Sequence, residues 1–207
     1  HSVFCCPNVI DVNKYRPIDK NKCRKELGLP LNKKIIVFCS MSLSDPYKGA
    51  SYLFSALSKL NLNEYSIIMI GNSSLKDIPL KLHKIIHTSG FISNQDEIIK
   101  YYSAGDVFVI SSIAENFPNV VLEAMACGLP VVGFATGGIR DQIEHKYNGY
   151  LVEPKDVDGL CKGVDWVLNT ADNSVLSQNC RAWICSRYSY DNVKNYHSFI
   201  LKDCNYE

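Results

Sequence analysis

Short runs of residues that are apolar on both faces recur along this chain and alternate with segments of helical spacing. The runs are IIVFCS (35–40), YSIIMIG (65–71), a stretch within KIIHTSGFI (84–92), DVFVIS (106–111), PVVGF (130–134) and GYLV (149–152). A strand with no polar face has to be covered on both sides, and strands joined through helices run parallel, linked by right-handed crossovers. Between the runs, Leu53, Ala56, Leu57 and Leu60 recur at helical spacing in a helix expected over Lys48–Leu60. Asn94 stands where it caps a helix in NQDEIIKYYSAG, and further helices are expected at 118–127 and 138–145. The pattern therefore predicts an α/β fold: a Rossmann-like open parallel sheet of about six strands with helices on both faces.

The same pattern divides one expected domain, 1–207, into an opening segment (1–33), a sheet core (34–155) and C-terminal helices (156–207). KNKCRKELG in the opening segment reads as a short helix ended by Gly28. HSVFCCPNVID reads as a strand entered in mid-course, which predicts a preceding segment or domain. After Pro154 the predicted helices are VDGLCKGVDWVLN, SVLSQNCRAWICSRY and YDNVKNYHSFILKD. Trp166, Trp183, Tyr188, Tyr190 and Tyr196 fall in them and are expected to pack.

Composition narrows the functions. The 22 basic and 21 acidic residues leave a net charge of +1, so no global field draws the chain to nucleic acid or an anionic membrane. An anionic ligand has to be met by a local arrangement. The nine cysteines are odd in number and lack metal-ligand spacing, and Cys39 and Cys127 sit in apolar runs, so free thiols in a reducing cytoplasm are expected. No apolar run reaches the roughly 20 residues of a membrane span, which leaves at most peripheral association with the inner face of a membrane. His83, His87, His145 and His197 are scattered, and structural or surface roles are expected for them.

The chemistry concentrates in SSIAENFPNVVLEAMACGLPVVGFATGGIRD (111–141). In an open parallel sheet, ligands bind outside the carboxyl ends of the strands. Glu115 lies just past the fourth strand, and Asn116 and Pro118 mark a helix start whose free amides and positive dipole end suit phosphate or hydroxyl oxygens. Glu123 lies inside that helix. Eight helical residues rise roughly 12 Å and leave the two carboxylates roughly 80 degrees apart around the axis. That is too wide for a glycosidase pair, which needs about 5 to 9.5 Å, but suits the two ends of a nucleotide sugar. Taken alone, the pair also reads as two solvated helix carboxylates. Lys48, after SLSDPY, is placed to neutralise a diphosphate or equally to be an ordinary surface lysine. TGGIRD (136–141) is neither G-x-G-x-x-G nor a P-loop, which argues against a nicotinamide dehydrogenase.

Several stretches, in order, resemble one family: PNVIDVNKYRP, SDPYKG, GFISNQDEIIKYYSAGDVFVISS, ENFPNVVLEAMACGLPVVGFATGGIRDQIEHKYNGYLV and RYSYDNV. Together they resemble the C-terminal, donor-binding domain of family 4, group 1 retaining glycosyltransferases of the GT-B fold. The resemblance implies transfer of a hexosyl unit from a UDP- or GDP-linked sugar to a glycan or lipid-linked acceptor, with no metal and no other cofactor. Surface polysaccharide synthesis is a common use of such enzymes. It implies that Glu115 contacts donor-sugar hydroxyls, that Asn116, Phe117, Pro118, Asn119 and Val120 line the sugar and diphosphate, and that Lys48 stabilises the leaving diphosphate. It implies further that Glu123 holds the ribose and that backbone groups of Phe91 and Ile92 meet the base. The chain departs from the pattern where SMSLSD supplies no arginine before Lys48, where Val9 replaces a glycine, and where Asp141 stands for a glutamate. The acceptor domain of the family lies outside these residues, so the chain alone is expected to be nearly inactive. A non-catalytic nucleotide-sugar-binding module and a sugar-nucleotide epimerase are the alternative readings.

Overall fold

A computed structural model describes residues 7–72 and 74–194. Cys5, Cys6, Tyr196, His197 and Cys204, the strand expected at the very start, and most of the last predicted helix lie outside the described residues. The elements in order are α1 (Lys20–Glu26), β1 (Lys34–Cys39), α2 (Ala50–Leu57), β2 (Tyr65–Ile70), β3 (Ile86–Gly90), α3 (Gln95–Ala104) and β4 (Val107–Ile110). They continue with α4 (Asn119–Ala126), β5 (Val131–Phe134), α5 (Ile139–Gln142), β6 (Gly149–Val152), α6 (Val157–Asp165) and α7 (Asn173–Arg187).

All six strands are parallel and lie in the order β3-β2-β1-β4-β5-β6. Alternating side chains of β1 serve two layers, as the period of a strand requires. Ile35 and Val37 pack with residues of α3, α4 and α7, while Ile36 and Phe38 pack with α2 and α6. The order reverses between β1 and β4, and the loops leaving these neighbouring strands diverge to opposite faces. That reversal creates the crevice where open α/β sheets bind ligands.

At the amino edge, a buried ionic clamp joins these same two strands. Asp106, just before β4, accepts from Arg24 at 2.6 Å, Lys20 at 2.7 Å and the β1 amide of Ile35 at 2.7 Å. Arg24 is 5% exposed and also donates to the carbonyls of Ala104 and Lys33.

Element boundaries differ from expectation where turn chemistry intervenes. The helix expected from Lys48 starts after a separate 3-10 turn, Pro46–Lys48, capped by Asp45, and Gly49 in left-handed conformation divides the two. The helix expected at 138–145 is a single turn, because Asn148 and β6 claim the backbone that follows: Asn148 accepts from the Glu144 amide, and Lys146 donates to the Gly149 carbonyl. Past α6, the helix predicted to continue through Asn169 widens into a π-helical turn over Trp166–Thr170. The six cysteines among the described residues are unpaired thiols, with Cys23, Cys127 and Cys180 buried as small apolar groups. No helix among the described residues is long and apolar enough to cross a membrane.

Candidate functional site

Glu115 and Lys48 meet at the carboxyl edge, above the reversal of the sheet. Lys48 Nζ lies 2.7 Å from Glu115 Oε1, with the carboxylate 15% and the lysine 40% exposed. The 3-10 turn carrying Lys48 is stitched to the loop after β4 at two points. Ser111 Oγ donates to the Lys48 carbonyl at 3.1 Å, and the Ile113 amide donates to the Tyr47 carbonyl at 2.8 Å. A Cβ at Gly49 would stand 2.0 Å from the Ser111 carbonyl oxygen, so only glycine allows this approach.

Glu115 is not part of a continuous helix with Glu123. α4 begins at Asn119, and residues 111–118 form a loop, so the eight-residue helical spacing expected between the carboxylates does not apply. Packing shapes the loop instead. The Asn116 carbonyl accepts from the Gly138 amide at 2.6 Å, the Phe117 carbonyl from Asn8 Nδ2 at 3.1 Å, and the Pro118 carbonyl from Gln142 Nε2 at 3.1 Å. Because a trans peptide points its C=O and N–H in opposite directions, the amides of Phe117 and Asn119 face away from these partners. Pro118 has no amide to leave unsatisfied, and no side chain caps the amino end of α4. Among the described residues the amides of Phe117 and Asn119 have no partner, so a helix start with free donors and its positive dipole end follows four positions after Glu115.

TGGIRD supports this loop directly. A Cβ on Gly137 would come within 1.7 Å of the Glu115 carbonyl oxygen, and Gly137 has φ +46. Thr136 Oγ1 adds a hydrogen bond to the Ser112 carbonyl at 3.0 Å. The glycines make room for the chain's own Glu115 loop.

Glu123 lies apart from that ion pair, on the second turn of α4. Tyr102, fully buried in α3, donates to Glu123 Oε2 at 2.9 Å, and Tyr15 lines the same cleft as the carboxylate. Burial raises the carboxyl pKa above its ordinary value, and the two tyrosines pull against that rise. Desolvation, reinforced by the nearby Glu123 charge, pushes Tyr15 up to about 12. A cleft of about 360 Å³, lined by Asp11, Lys14, Gln95, Asn119 and Tyr190 among others, opens beside Glu123. A larger hollow of about 850 Å³ between α2 and residues 76–81 holds none of the predicted site residues. The candidate site is therefore the one marked by donor chemistry and not by cavity size.

The remaining predicted residues are distributed along the same edge. Asn116 and Asn119 are exposed, Phe117 and Val120 half-buried and Pro118 buried. Phe91 follows β3, two strands or about 10 Å from β1, and is 65% exposed, while Ile92 is partly buried against the α4 side of the core. Several residues that shape the site went unassigned in the sequence. Asn8 bridges Phe117 and the Asn119 side chain, at 3.1 and 2.9 Å. Tyr188, expected only to pack, does so edge-on against Phe117 at 5.6 Å. Tyr190 is 59% exposed instead of packed. Asn8 stood in the PNV run, but nothing in the sequence said that it reaches across more than 100 positions to a loop.

Residues 19–183 match the family model described as glycosyl transferases group 1. An uncharacterized glycosyltransferase of Methanocaldococcus jannaschii is 33% identical over 184 residues, 84% of this chain and 46% of that protein. The UDP-Gal:alpha-D-GlcNAc-diphosphoundecaprenol alpha-1,3-galactosyltransferase of Escherichia coli is 26% identical over 88% of this chain and 49% of its own length. Anabaena HepE, solved in complex with UDP, superposes with a TM-score of 0.82 at 26% identity, over 96% of this chain and 57% of that one. The chain thus spans about half the length of the curated relatives it matches. With its six-stranded parallel sheet and its ENFPNVVLE loop and helix start at the strand reversal, this chain belongs to the group 1 glycosyl transferases of the GT-B fold.

Proposed function

We propose that this chain is the donor-binding half of a retaining glycosyltransferase that moves a hexosyl unit from a nucleoside-diphosphate sugar to a glycan or glycolipid acceptor. The observation that carries the reading is the pairing of Lys48 with Glu115, four positions before the uncapped start of α4. An ammonium has three donors, so Lys48 has others to offer a diphosphate besides the one given to Glu115. As the bond from the anomeric carbon to the diphosphate oxygen breaks, negative charge grows on the leaving group. Lys48 and the α4 amides stand where they stabilise it, and the proposed reaction draws on no metal. Glu115 is acceptor-only and suits the hydroxyls of the sugar, Glu123 those of the ribose, and the Phe91–Ile92 backbone the edge of the base.

HepE was solved with UDP, and the Escherichia coli relative is named for a UDP-Gal donor and a lipid-linked acceptor. These names favour UDP over GDP and a lipid-linked acceptor, and with them we propose a role in surface polysaccharide assembly at the cytoplasmic side of the membrane. In this reading the acceptor site lies outside these residues, and full activity needs both halves of a protein of the relatives' length.

A thermal-shift series with UDP, GDP, ADP and their sugars tests the reading, since a ligand held at a hundred times its Kd stabilises the fold by about 2.7 kcal/mol. A shift with one diphosphate and its sugar is expected. No shift with any of them, at millimolar concentration, sinks the proposal. Calorimetry on Glu115→Ala should show nearly intact binding of the bare diphosphate and weakened discrimination among sugars.

A further inference from the structure

Glu123 is an unusual group for the fold to half-bury. It makes no ion pair among the described residues, and the cation on the neighbouring loop, Lys48, is engaged with Glu115. An apolar side chain would fill the position at lower cost, because a desolvated carboxylate without a counter-charge is destabilising. The surrounding architecture is nevertheless built to receive it. Tyr102 is fully buried, its ring packs edge-on against Phe108 at 5.9 Å, and its hydroxyl reaches Glu123 Oε2 at 2.9 Å. Tyr15 is held from the other side. Arg181 binds the carbonyls of Tyr15 at 2.6 Å, Val12 at 2.6 Å and Ala126 at 3.0 Å, which pins the opening segment onto the end of α4.

Resting on the ribose role proposed above for Glu123, we infer that Tyr102 and Tyr15 are positioning residues, which fix the Glu123 carboxylate so that its remaining acceptor sites face the vicinal hydroxyls of the nucleotide ribose. The terminal torsion of a glutamate is broad; the bond from Tyr102 restricts it, and Tyr15, anchored in a different element and lining the same cleft, stands where its hydroxyl restricts it further. A carboxylate offers about four acceptor sites, so two tyrosines leave capacity for a ligand. Asn119 and Lys14 in the adjoining cleft leave the carboxylate accessible from solvent.

The tyrosines have a second effect. The groups that face Glu123 are Tyr102 of α3, Tyr15 of the opening segment, Cys39 of β1 and Cys127 of α4, with Lys48 near Cys39 and Asp11 and Lys14 lining the cleft. Burial favours the protonated acid, and the two hydroxyls favour the carboxylate. Loss of either hydroxyl moves the Glu123 titration upward and removes acceptor capacity at higher pH.

Calorimetric titration of the chain with UDP, GDP and their 2′-deoxy counterparts between pH 5 and 8 tests the inference. In the unmodified chain the ribonucleotide should bind about tenfold tighter than the deoxy form, the worth of one charge-assisted hydrogen bond. Tyr102→Phe and Tyr15→Phe should each weaken the ribonucleotide about three- to tenfold at pH 7 and more at pH 5.5, shrink the ribo preference, and leave the deoxy form nearly unchanged. Tyr15→Phe carries the test by itself if Tyr102→Phe folds poorly. An equal loss for ribo and deoxy forms at every pH, in both variants, would show a purely structural role and overturn the inference. Glu123→Ala with unchanged affinity and ribo preference would overturn the ribose reading itself, and the inference with it. A loss in Glu123→Ala without a loss in either tyrosine variant would overturn the inference alone.

Discussion

At the scale of single residues, Lys48 and Glu123 represent two ways of placing a charge. Lys48 is a partly exposed ammonium in an ion pair, of a kind that contributes about 0–1 kcal/mol to stability. Replacing it with alanine should therefore lower the unfolding free energy by less than about 1 kcal/mol. In the role proposed for it, its bond to a diphosphate would be charge-assisted and worth about 1.5–3 kcal/mol, so diphosphate affinity should fall roughly ten- to hundredfold. A large stability loss with unchanged affinity would mark Lys48 as a structural group. Glu123 reverses this balance. Its folded pKa is raised by burial, so its favourable contribution to stability is complete below the unfolded value of about 4.3 and is lost as pH rises through the folded value. Glu123→Gln stays neutral throughout. In urea unfolding it should be more stable than the natural chain at pH 7, with the gap closing near pH 4; a gap independent of pH would contradict this assignment.

At the scale of elements, the site consists of loops docked on loops. Gly137 illustrates the dependence: its backbone is left-handed, and a Cβ there meets the Glu115 carbonyl at 1.7 Å. Gly137→Ala should cost about 2–4 kcal/mol by combining strain with a clash that displaces the 111–118 loop. Gly28→Ala serves as the comparison, because Gly28 has a similar φ of +66 and no heavy atom within 4 Å of an added Cβ. It should cost only about 1 kcal/mol. If both variants lose the same stability, contact with Glu115 is irrelevant. The strands and most helices were legible in the sequence, since alternation of both-face apolar runs with helical spacing leaves few other folds. Where α2 starts and where α5 stops was not legible. Those limits are set by Gly49 meeting Ser111 and by Asn148 bonding Glu144, contacts that no local pattern announces.

At the scale of the whole molecule, the two strands that flank the binding crevice are fastened at the opposite edge by Asp106, Arg24 and Lys20. Asp106→Ala leaves the Arg24 guanidinium buried without its carboxylate and should cost about 3–5 kcal/mol. Diphosphate affinity of the folded fraction should change little, because the clamp lies at the amino ends of the strands and the site at their carboxyl ends. A loss of affinity equal to that of Lys48→Ala would show instead that the sheet transmits strain to the crevice. By itself the sequence determined the parallel sheet and which charged residues stand at its carboxyl edge, because apolar periodicity and residue chemistry are properties of the chain alone. Only the tertiary structure decided that Lys48 and Glu115 form a pair, that Glu115 lies in a loop instead of on the Glu123 helix, and that buried Tyr102 bonds Glu123. Those facts depend on the order in which strands pair, which brings together side chains 67 and 21 positions apart.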